Sequence, residues 1–249
     1  MRIAALYDIH GNLPALEAVL ADARSAGVDR LVVGGDVFPG PLSHAVLGSL
    51  SACKFPVDFI VGNGEIAVLE HLAGRIPARV PEAFRPIVRW NAEQLDAAAR
   101  QSLASWPKTL RVAVEPVGDV LFCHATPRDE NEIFTKLTPE DRLVPIFEPV
   151  NAAIVVCGHT HMPFDRWIGR TRVVNPGSVG MPFGPAGAYW MILGPGVEMR
   201  HTTYDFERAA ERIRASGYPA AEEFVTKSVL HPPSAEEMMK LYGQYELKG

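Results

Sequence analysis

The sequence predicts an α/β fold built around a parallel β-sheet, and three observations carry that prediction. Short apolar strands alternate with helical segments three times within the first 73 residues. Each strand ends in a turn rich in glycine, aspartate or asparagine, and the next helix starts from that turn. All three turns place polar residues just past the carboxyl end of a strand, where open α/β sheets bind ligands. Successive β-α units of this kind favour parallel strands joined by right-handed crossovers.

The first three units have clear boundaries in the sequence. Strands are predicted at residues 2–7, 30–33 and 57–61, and the helices that follow run from the Asn12 cap to Gly27, from about 43 to 52, and after Glu65 to about 73. In the first helix, apolar residues recur at i, i+3, i+4 and i+7, namely Leu16, Val19, Leu20 and Ala23. This spacing predicts one buried stripe on that helix.

The alternation pauses between residues 74 and 107, where Pro81 and Pro86 interrupt a helical composition. Two or three helices are predicted there, either as an insertion beside the sheet or as a lid near the site. Further strands are expected near 110–114, 120–123 and 152–157, with a helix at 138–147. Later strands at 172–174, 188–193 and 198–203 predict a meander. Asp205 then caps a helix to about 215, and residues 220–249 predict two short helices joined through Pro232-Pro233.

Composition excludes several classes of protein. The 249 residues are 47% hydrophobic, enough for one large domain or one and a half, and carry a formal charge of −5. We therefore expect no nucleic-acid-binding patch and no attraction to an anionic membrane. The start of the chain becomes polar too early for a signal peptide, and no apolar run is long enough to span a membrane. Cys53, Cys123 and Cys157 cannot all pair, so buried, reduced thiols in a cytoplasmic protein are expected.

Seven polar side chains follow the predicted strands: Asp8, His10, Asp36, Asn63, His124, His159 and His161. In extended geometry, residues two apart such as His159 and His161 point to the same side. Carboxylate, imidazole and amide oxygen form a ligand set suited to Mn, Fe, Zn, Ni or Mg and unlike a Cys-rich structural zinc site. Seven groups are too many for one ion and about right for two that share a carboxylate. Each residue alone is equally well explained as a turn or core residue, but the set at successive strand ends is not.

In this order, the motifs resemble the calcineurin-like metallophosphoesterase superfamily, in particular its small prokaryotic phosphodiesterase branch. The motifs are Asp8-x-His10, Gly35-Asp36, Gly62-Asn63, His124 and Gly158-His159-x-His161, and the similarity spans roughly residues 1–205, including Asn175-Pro176-Gly177-Ser178-Val179-Gly180. The resemblance implies a four-layer α/β/β/α sandwich of two mixed β-sheets flanked by helices. It also implies a metallophosphoesterase domain over 1–205 with a helical insertion near 74–107. Residues 206–249 would be a C-terminal helical extension that packs on the same domain.

The resemblance further assigns roles to individual residues. Asp8, His10 and His161 would hold one metal ion, Asn63, His124 and His159 would hold the other, and Asp36 would bridge them. The expected cofactors are two divalent ions, with manganese placed ahead of Fe, Zn, Ni and Mg. Asp36, Asn63 and His124 are expected to take part in catalysis. Asn12, Glu65 and Arg128 are candidate substrate contacts, with surface group or helix cap as the alternative for each.

The implied function is hydrolysis of a small phosphodiester or nucleotide substrate by a metal-activated water. Two alternatives remain open within the enzyme class: a dinucleoside polyphosphate (phosphoanhydride) hydrolase and a phosphatase. An alternative of another class is a non-catalytic scaffold with the same fold. Scaffolds tend to lose metal ligands, and this chain keeps all seven, which favours the enzyme. The sequence leaves the oligomeric state open, a homo-oligomer included.

One position departs from the family's fullest pattern. Gly64 stands where many members have a histidine that contacts the phosphoryl oxygen or protonates the leaving group. General acid catalysis is commonly worth about 10²–10⁴-fold, and its loss matters least when the leaving group departs easily as an anion. Aryl phosphodiesters and phosphoanhydrides meet that condition. Glu65 and Arg128 are the first candidates for another proton donor, and a positive φ at Gly64 is one reason why a histidine there would be strained.

Overall fold

The computed structural model describes residues 1–247; Lys248 and Gly249, the end of the predicted 206–249 extension, lie outside the described residues. Ten strands are found in this range: β1 (Ile3–Leu6), β2 (Arg30–Val33), β3 (Val57–Phe59), β4 (Thr109–Val114), β5 (Gly118–Cys123), β6 (Ile154–Val156), β7 (Phe164–Ile168), β8 (Thr171–Asn175), β9 (Ala188–Leu193) and β10 (Val197–Thr202). The α-helices of the same range are α1 (Leu13–Ser25), α2 (Ser43–Ala52), α3 (Asn63–Leu72), α4 (Arg85–Glu93), α5 (Ala97–Ala104), α6 (Glu140–Phe147), α7 (Phe206–Arg214), α8 (Ala221–Phe224) and α9 (Ala235–Tyr242). None of these helices is long and apolar enough to cross a membrane.

The strands form two five-stranded mixed sheets. The first sheet has the order β10-β9-β1-β2-β3, in which β1, β2 and β3 run parallel and β9 and β10 pair antiparallel. The second sheet has the order β4-β5-β6-β8-β7, in which β5, β6 and β8 run parallel and the two edge strands are antiparallel. The predicted β-α units therefore build the parallel part of the first sheet.

Alternating side chains on the strands create the layers, because successive residues point to opposite faces. On β1, Leu6 belongs to a cluster with helices α1 to α5, whereas Ala5 faces the second sheet and shares a cluster with Phe122 of β5. The opposite face of β5 carries Leu121, which joins a cluster with Phe147 of α6. The order of layers is helix, sheet, sheet, helix. This confirms the predicted four-layer α/β/β/α sandwich.

The structure differs from the predicted elements in the second half of the chain. Strand β7 was not predicted, because two charged residues follow Phe164 and obscure the alternation that buries Phe164 and Ile168. The predicted meander is also wrong as a single unit. Strands β7 and β8 form a hairpin in the second sheet, whereas β9 and β10 form a hairpin in the first. Cys123 and Cys157 are buried as predicted, but Cys53 is half-buried.

The 74–107 region packs on the helical face of the first sheet. Val88 of α4 and Leu103 of α5 join the same cluster as α1 to α3. The residues after Asp205 pack partly on this region: Tyr218 makes an edge-on contact with Trp90, at 5.4 Å between ring centroids. The last helix, α9, lies apart from that contact and approaches the candidate site.

Candidate metal centre

The loops at the carboxyl ends of the strands bring the seven predicted ligands together. Two groups each hold three ligand atoms within 4.8 Å of one another: Asp8, His10 and His161 in the first group, and Asp36, His124 and His159 in the second. Asn63, the first residue of α3, joins the second group with its Oδ1 atom 2.9 Å from Nε2 of His124. The structure thus gathers the residues in the two sets that the resemblance implies.

Asp36 lies between the two groups. One carboxylate oxygen, Oδ2, is 3.5 Å from Nε2 of His10 in the first group. The other, Oδ1, is 3.5 Å from Nε2 of His124 in the second group and accepts a hydrogen bond from the Gly64 amide at 2.8 Å. Each oxygen therefore faces a different group, which is the placement that a bridging ligand requires.

Backbone carbonyls fix which nitrogen of each histidine faces the centre. The Nδ1 atoms of His10, His161 and His124 lie 3.1 Å from the carbonyl of Pro39, 2.7 Å from that of Met181 and 2.9 Å from that of Gly34, respectively. A carbonyl oxygen can only accept, so each Nδ1 carries the proton. In the neutral ring, each Nε2 then presents a lone pair to the centre, as in metal-binding histidines whose other nitrogen is held by an outer hydrogen bond.

The lone pairs face each other in a way that calls for a cation. Nε2 of His10 and Nε2 of His161 are 3.3 Å apart. Nε2 of His124 faces the Asn63 and Asp36 oxygens, which are acceptors as well. Facing acceptors with no proton between them repel, and a divalent ion bound by all of them removes that repulsion.

A buried carboxylate oxygen gives the same indication. Of the buried side-chain polar atoms in residues 1–247, three have no hydrogen-bond partner: Arg2 Nε, Asp8 Oδ1 and Arg85 Nε. Asp8 Oδ1 lies in the centre, 3.5 Å from Nε2 of His161, while its other oxygen accepts the His159 backbone N–H at 2.9 Å. Burying a charged oxygen without a partner is costly. The residues present therefore fit divalent metal ions.

The backbone around the ligands is strained. Within the described residues, seven non-glycine residues have positive φ, and five of them are predicted ligands: Asp8, His10, Asp36, His159 and His161. A non-glycine residue in this region costs on the order of 1–3 kcal/mol, although Asp and His tolerate it better than most. Strain of this kind concentrates at functional sites, and no residue pattern in the sequence indicates where it lies.

The charges of the centre shift several pKa values. Burial, with help from neighbouring imidazoles, lowers the pKa of His10 and of His159 to about 3, which keeps both rings neutral and able to bind metal. Burial acts to lower the pKa of His161 as well, but the Asp8 carboxylate outweighs it and raises that pKa. Burial and the charge of Asp8 raise the pKa of Asp36.

Metal binding is expected to weaken as the pH falls. The raised pKa of His161 means that its ring holds a proton to a higher pH than usual, and a metal ion must displace that proton. Lowering the pH from about 8 to about 5.5 should weaken Mn²⁺ binding by roughly tenfold or more. Calorimetry in two buffers of different ionisation enthalpy would report both the affinity and the released proton. An affinity that is constant across this range would contradict the assignment.

Two residues outside the predicted set hold the ligand loops in place. The Asn175 side-chain amide donates to the Gly158 carbonyl at 2.8 Å and to the Thr160 hydroxyl at 3.2 Å, on either side of His159. The Ser178 hydroxyl donates a hydrogen bond of 2.7 Å to the backbone carbonyl of Asp8. The 175–180 motif was visible in the sequence, but its role depends on hydrogen bonds between distant segments.

Asn12 is a structural residue in the fold, so its predicted contact with substrate is corrected. The side chain is fully buried, and its Oδ1 atom accepts the Ala15 N–H at 3.2 Å, which caps α1. The amide nitrogen donates to the Gly180 carbonyl at 3.0 Å and to the Tyr204 hydroxyl at 3.1 Å. All of its polar atoms are engaged, and the helix-cap alternative is the one that the structure supports.

Glu65 is likewise buried and engaged, which corrects its predicted roles as a substrate contact and as a proton donor. Its carboxylate accepts three backbone N–H groups, from Asp36 at 2.8 Å, Phe38 at 2.9 Å and Gly62 at 2.8 Å. Burial and the neighbouring Asp36 raise its pKa to about 7, against the three hydrogen bonds. Glu65 joins the loop that carries Asp36 to the loop that carries Asn63.

Arg128 is placed differently from the other two candidates. Its guanidinium pairs with the Glu132 carboxylate, with Nε 2.9 and 3.0 Å from the two oxygens, yet the side chain is 56% exposed. The exposed part of the Arg128 guanidinium is accessible to a ligand that enters from solvent. Its role as a substrate contact stays a prediction.

The space around Gly64 explains why no side chain stands there. Its φ lies outside the left-handed region, so the predicted positive φ is wrong. Instead, a Cβ atom at this position would overlap the backbone carbonyl oxygen of Phe38. A histidine could not be accommodated without moving the loop between Asp36 and Ser43. The imidazole of the fuller family pattern is therefore excluded by the local backbone.

Comparison with known proteins agrees with this geometry. The model of the calcineurin-like phosphoesterase superfamily domain matches residues 1–194. The phosphodiesterase YfcE of Escherichia coli (strain K12) is 28% identical over 205 residues, which cover 78% of this chain and 87% of that protein. The crystal structure of a metallophosphoesterase from Sphaerobacter thermophilus matches with a TM-score of 0.70 at 25% identity, over 91% of this chain and 97% of that one.

A further structure, of a hypothetical protein from Pyrococcus horikoshii OT3, matches with a TM-score of 0.75 at 21% identity, over 94% of this chain and 99% of that one, and shares the fold. The family is metal-dependent, and this chain carries the two candidate metal-binding groups described above. The chain belongs to the calcineurin-like phosphoesterase superfamily, with relatives in its small prokaryotic branch, and is a phosphoesterase.

Proposed function

We propose that this chain hydrolyses phosphodiesters of small molecules at a centre of two divalent metal ions. The observation that carries the proposal is the pair of adjoining three-residue groups with Asp36 between them, one oxygen toward each. Asp8, His10 and His161 would hold one ion, and Asn63, His124 and His159 the other. Manganese is proposed ahead of Fe, Zn, Ni and Mg, which the same mixture of imidazole, carboxylate and amide oxygen also accepts.

When bound, two such ions lower the pKa of a water molecule and offset the negative charge on a phosphoryl oxygen. The protein's own part is to hold the ligands in fixed positions. Gly34 accepts the Nδ1 proton of His124 and thereby aims Nε2 at the centre. Asp36 is oriented by the Gly64 amide, and Asn63 is presented by the first turn of α3. Asp36, Asn63 and His124 are accordingly the proposed catalytic residues.

Two points support a diester as the substrate. YfcE, a relative with 28% identity, is named a phosphodiesterase. In addition, Gly64 supplies no proton to the leaving group, so esters with stable anionic leaving groups are favoured. Phosphoanhydrides such as dinucleoside polyphosphates also have stable leaving groups, and they are the second candidate for the same reason.

A substrate panel would separate these candidates. Protein loaded with Mn²⁺ would be assayed on bis(p-nitrophenyl) phosphate, cyclic nucleotides, p-nitrophenyl phosphate and a dinucleoside tetraphosphate. We expect hydrolysis of the aryl diester that stops with EDTA and returns with Mn²⁺. Preference for the tetraphosphate would favour the phosphoanhydride hydrolase, and preference for the monoester would favour a phosphatase. No hydrolysis by protein shown to contain two metal ions would contradict the proposal and favour a scaffold.

The reaction rate is expected to depend steeply on the acidity of the leaving group. Because no imidazole can stand at Gly64, the leaving group must depart without a proton from that position. Single-turnover rates for a series of aryl phosphodiesters should fall markedly as leaving-group pKa rises, and single turnover removes any limit from product release. A shallow slope would mean that another residue stabilises the departing group. The exposed Arg128, whose guanidinium can offset negative charge while keeping its proton, would then be the first to substitute.

A further inference from the structure

The C-terminal helix α9 is fastened over the side of the fold that carries the metal centre. Before the helix, the Pro233 carbonyl accepts the Gly184 N–H at 2.9 Å. After the helix, the Leu247 N–H donates to the Ile133 carbonyl at 2.8 Å, and the Glu246 carboxylate accepts the Thr138 hydroxyl at 2.6 Å. The helix is thus attached to the rest of the fold at both ends.

A row of aromatic rings connects this helix to the metal centre. Phe183 stacks on the ring of His161, with 5.1 Å between centroids and 19° between planes. Tyr242, at the end of α9, meets Phe183 edge-on at 6.1 Å. Burial and the charge of Asp8 raise the pKa of Tyr242, which agrees with a phenol near the centre. The last turn of α9 therefore lies close to the first ligand group.

A cavity of about 190 Å³ lies between α9 and the loops of the centre. Its lining is mostly apolar and includes Met162, Phe164, Phe183, Ala235 and Met239. Thr160 also lines it, and this residue stands in the chain between the ligands His159 and His161. The cavity is therefore adjacent to the metal centre, with one wall from the ligand loops and one from the C-terminal helix.

We propose that this cavity binds an apolar, aromatic organic group of the phosphoester while its phosphoryl group occupies the metal centre. The proposal rests on the proposed function and adds a substrate class to it, namely esters that carry a flat apolar group. The proposal is based on Phe183, which stacks on His161 and also lines the cavity. Ala235 and Met239 of α9 line the cavity on the side of the C-terminal helix.

The size and chemistry of the cavity agree with such a group. An apolar cavity of about 150 Å³ is large enough to hold benzene in another protein. Stacking or edge-on contact with Phe183 favours an aromatic ring over an aliphatic chain of equal area. An aryl group is also a stable leaving group, which is what the missing side chain at Gly64 independently requires.

The test compares two phosphonates that cannot be hydrolysed, so that binding is measured apart from turnover. Phenylphosphonate and methylphosphonate would be titrated by calorimetry into the full-length protein loaded with Mn²⁺. We expect phenylphosphonate to bind roughly tenfold more tightly, because its ring is buried and a methyl group buries far less apolar surface. Equal affinities in the wild type would overturn the proposal.

Neighbouring methionines offer a matched pair of variants. Met239 lines the cavity and Met238 does not, although both are half-buried on α9. Met239→Trp should fill the cavity and reduce the phenyl-to-methyl ratio of affinities to about one, whereas Met238→Trp should keep the wild-type ratio. Met239→Ala, which enlarges the cavity, should shift the preference toward 1-naphthylphosphonate. The proposal would be overturned if, at normal metal content, Met239→Trp kept the wild-type phenyl-to-methyl ratio of affinities and Met239→Ala showed no shift toward 1-naphthylphosphonate.

The outcome is separable from that of the proposed function. If the aryl diester is hydrolysed but the phosphonates show no phenyl preference, the cavity assignment is wrong and the enzyme assignment stands. If the phenyl preference is found but no phosphodiester is hydrolysed, the cavity binds aryl groups and the proposed reaction is wrong.

Discussion

Asp36→Asn is expected to lose phosphodiester hydrolysis by on the order of 10³-fold, since several kcal/mol of charge stabilisation depends on the metal ions that this residue would join. Asparagine tolerates the positive φ of 52° at this position, so strain is not added. It can also keep the hydrogen bond from the Gly64 amide. What it lacks is a second anionic oxygen to face the other ligand group. We therefore expect bound metal to fall well below the wild-type content, as measured by elemental analysis.

A second aspartate serves as the control for this variant. Asp58 lies on β3 of the first sheet, next to the strand β2 that precedes Asp36. Its carboxylate pairs with Arg30, away from the ligand groups. Asp58→Asn should keep both metal content and turnover close to those of the wild type. Turnover like that of the wild type in Asp36→Asn would contradict the bridging role.

Glu65→Ala is expected to lower the free energy of unfolding by about 3 kcal/mol or more. Three buried backbone N–H groups would lose their acceptor, and each such loss costs about 1–3 kcal/mol. That is a large fraction of the roughly 5–15 kcal/mol that stabilises a typical domain. Glu65→Gln should lie between, because one amide oxygen can still accept two of the N–H groups. Urea unfolding in the presence of EDTA would measure this without a contribution from bound metal.

The control for Glu65 stands on the same helix. Glu70 is half-buried on α3, and its side chain has no hydrogen bond among those found in residues 1–247. Glu70→Ala should change the free energy of unfolding by no more than about 0.5 kcal/mol. If Glu65→Ala unfolds with the same midpoint as Glu70→Ala, the three hydrogen bonds do not hold the ligand loops together.

Local periodicity explains why most of the fold could be predicted. The stripe of Leu16, Val19, Leu20 and Ala23 is buried, and the strand and helix boundaries before residue 73 agree to within a few residues. Strand β7 was not predicted, because it is an edge strand with one exposed face, and its charged residues Asp165 and Arg166 hide the alternation of buried and exposed positions. Which hairpin joins which sheet depends on long-range pairing, and the order of glycine and proline turns does not encode that pairing.

The candidate site shows the same division. The metal ligands could be predicted from the sequence, because they follow successive strands and the carboxyl ends of parallel strands meet at one edge of a sheet. The roles of Asn12 and Glu65 could not be predicted. A polar residue that accepts buried backbone hydrogen bonds has the same sequence signature as one that contacts substrate. The same holds for Gly64, whose missing side chain reflects the nearby Phe38 carbonyl rather than its own φ. The cavity under α9 could not be predicted, because it depends on contacts between residues 135–189 and the C-terminal helix.

The most direct test of the central claim is the number of metal ions needed for activity. Metal-free protein would be titrated with Mn²⁺ while bound metal and hydrolysis of an aryl phosphodiester are followed in the same samples. Two adjoining ligand groups with a shared Asp36 predict that activity rises mainly as the second equivalent per chain binds. Full activity at one equivalent per chain, or in protein with no bound divalent metal, would contradict the two-metal centre.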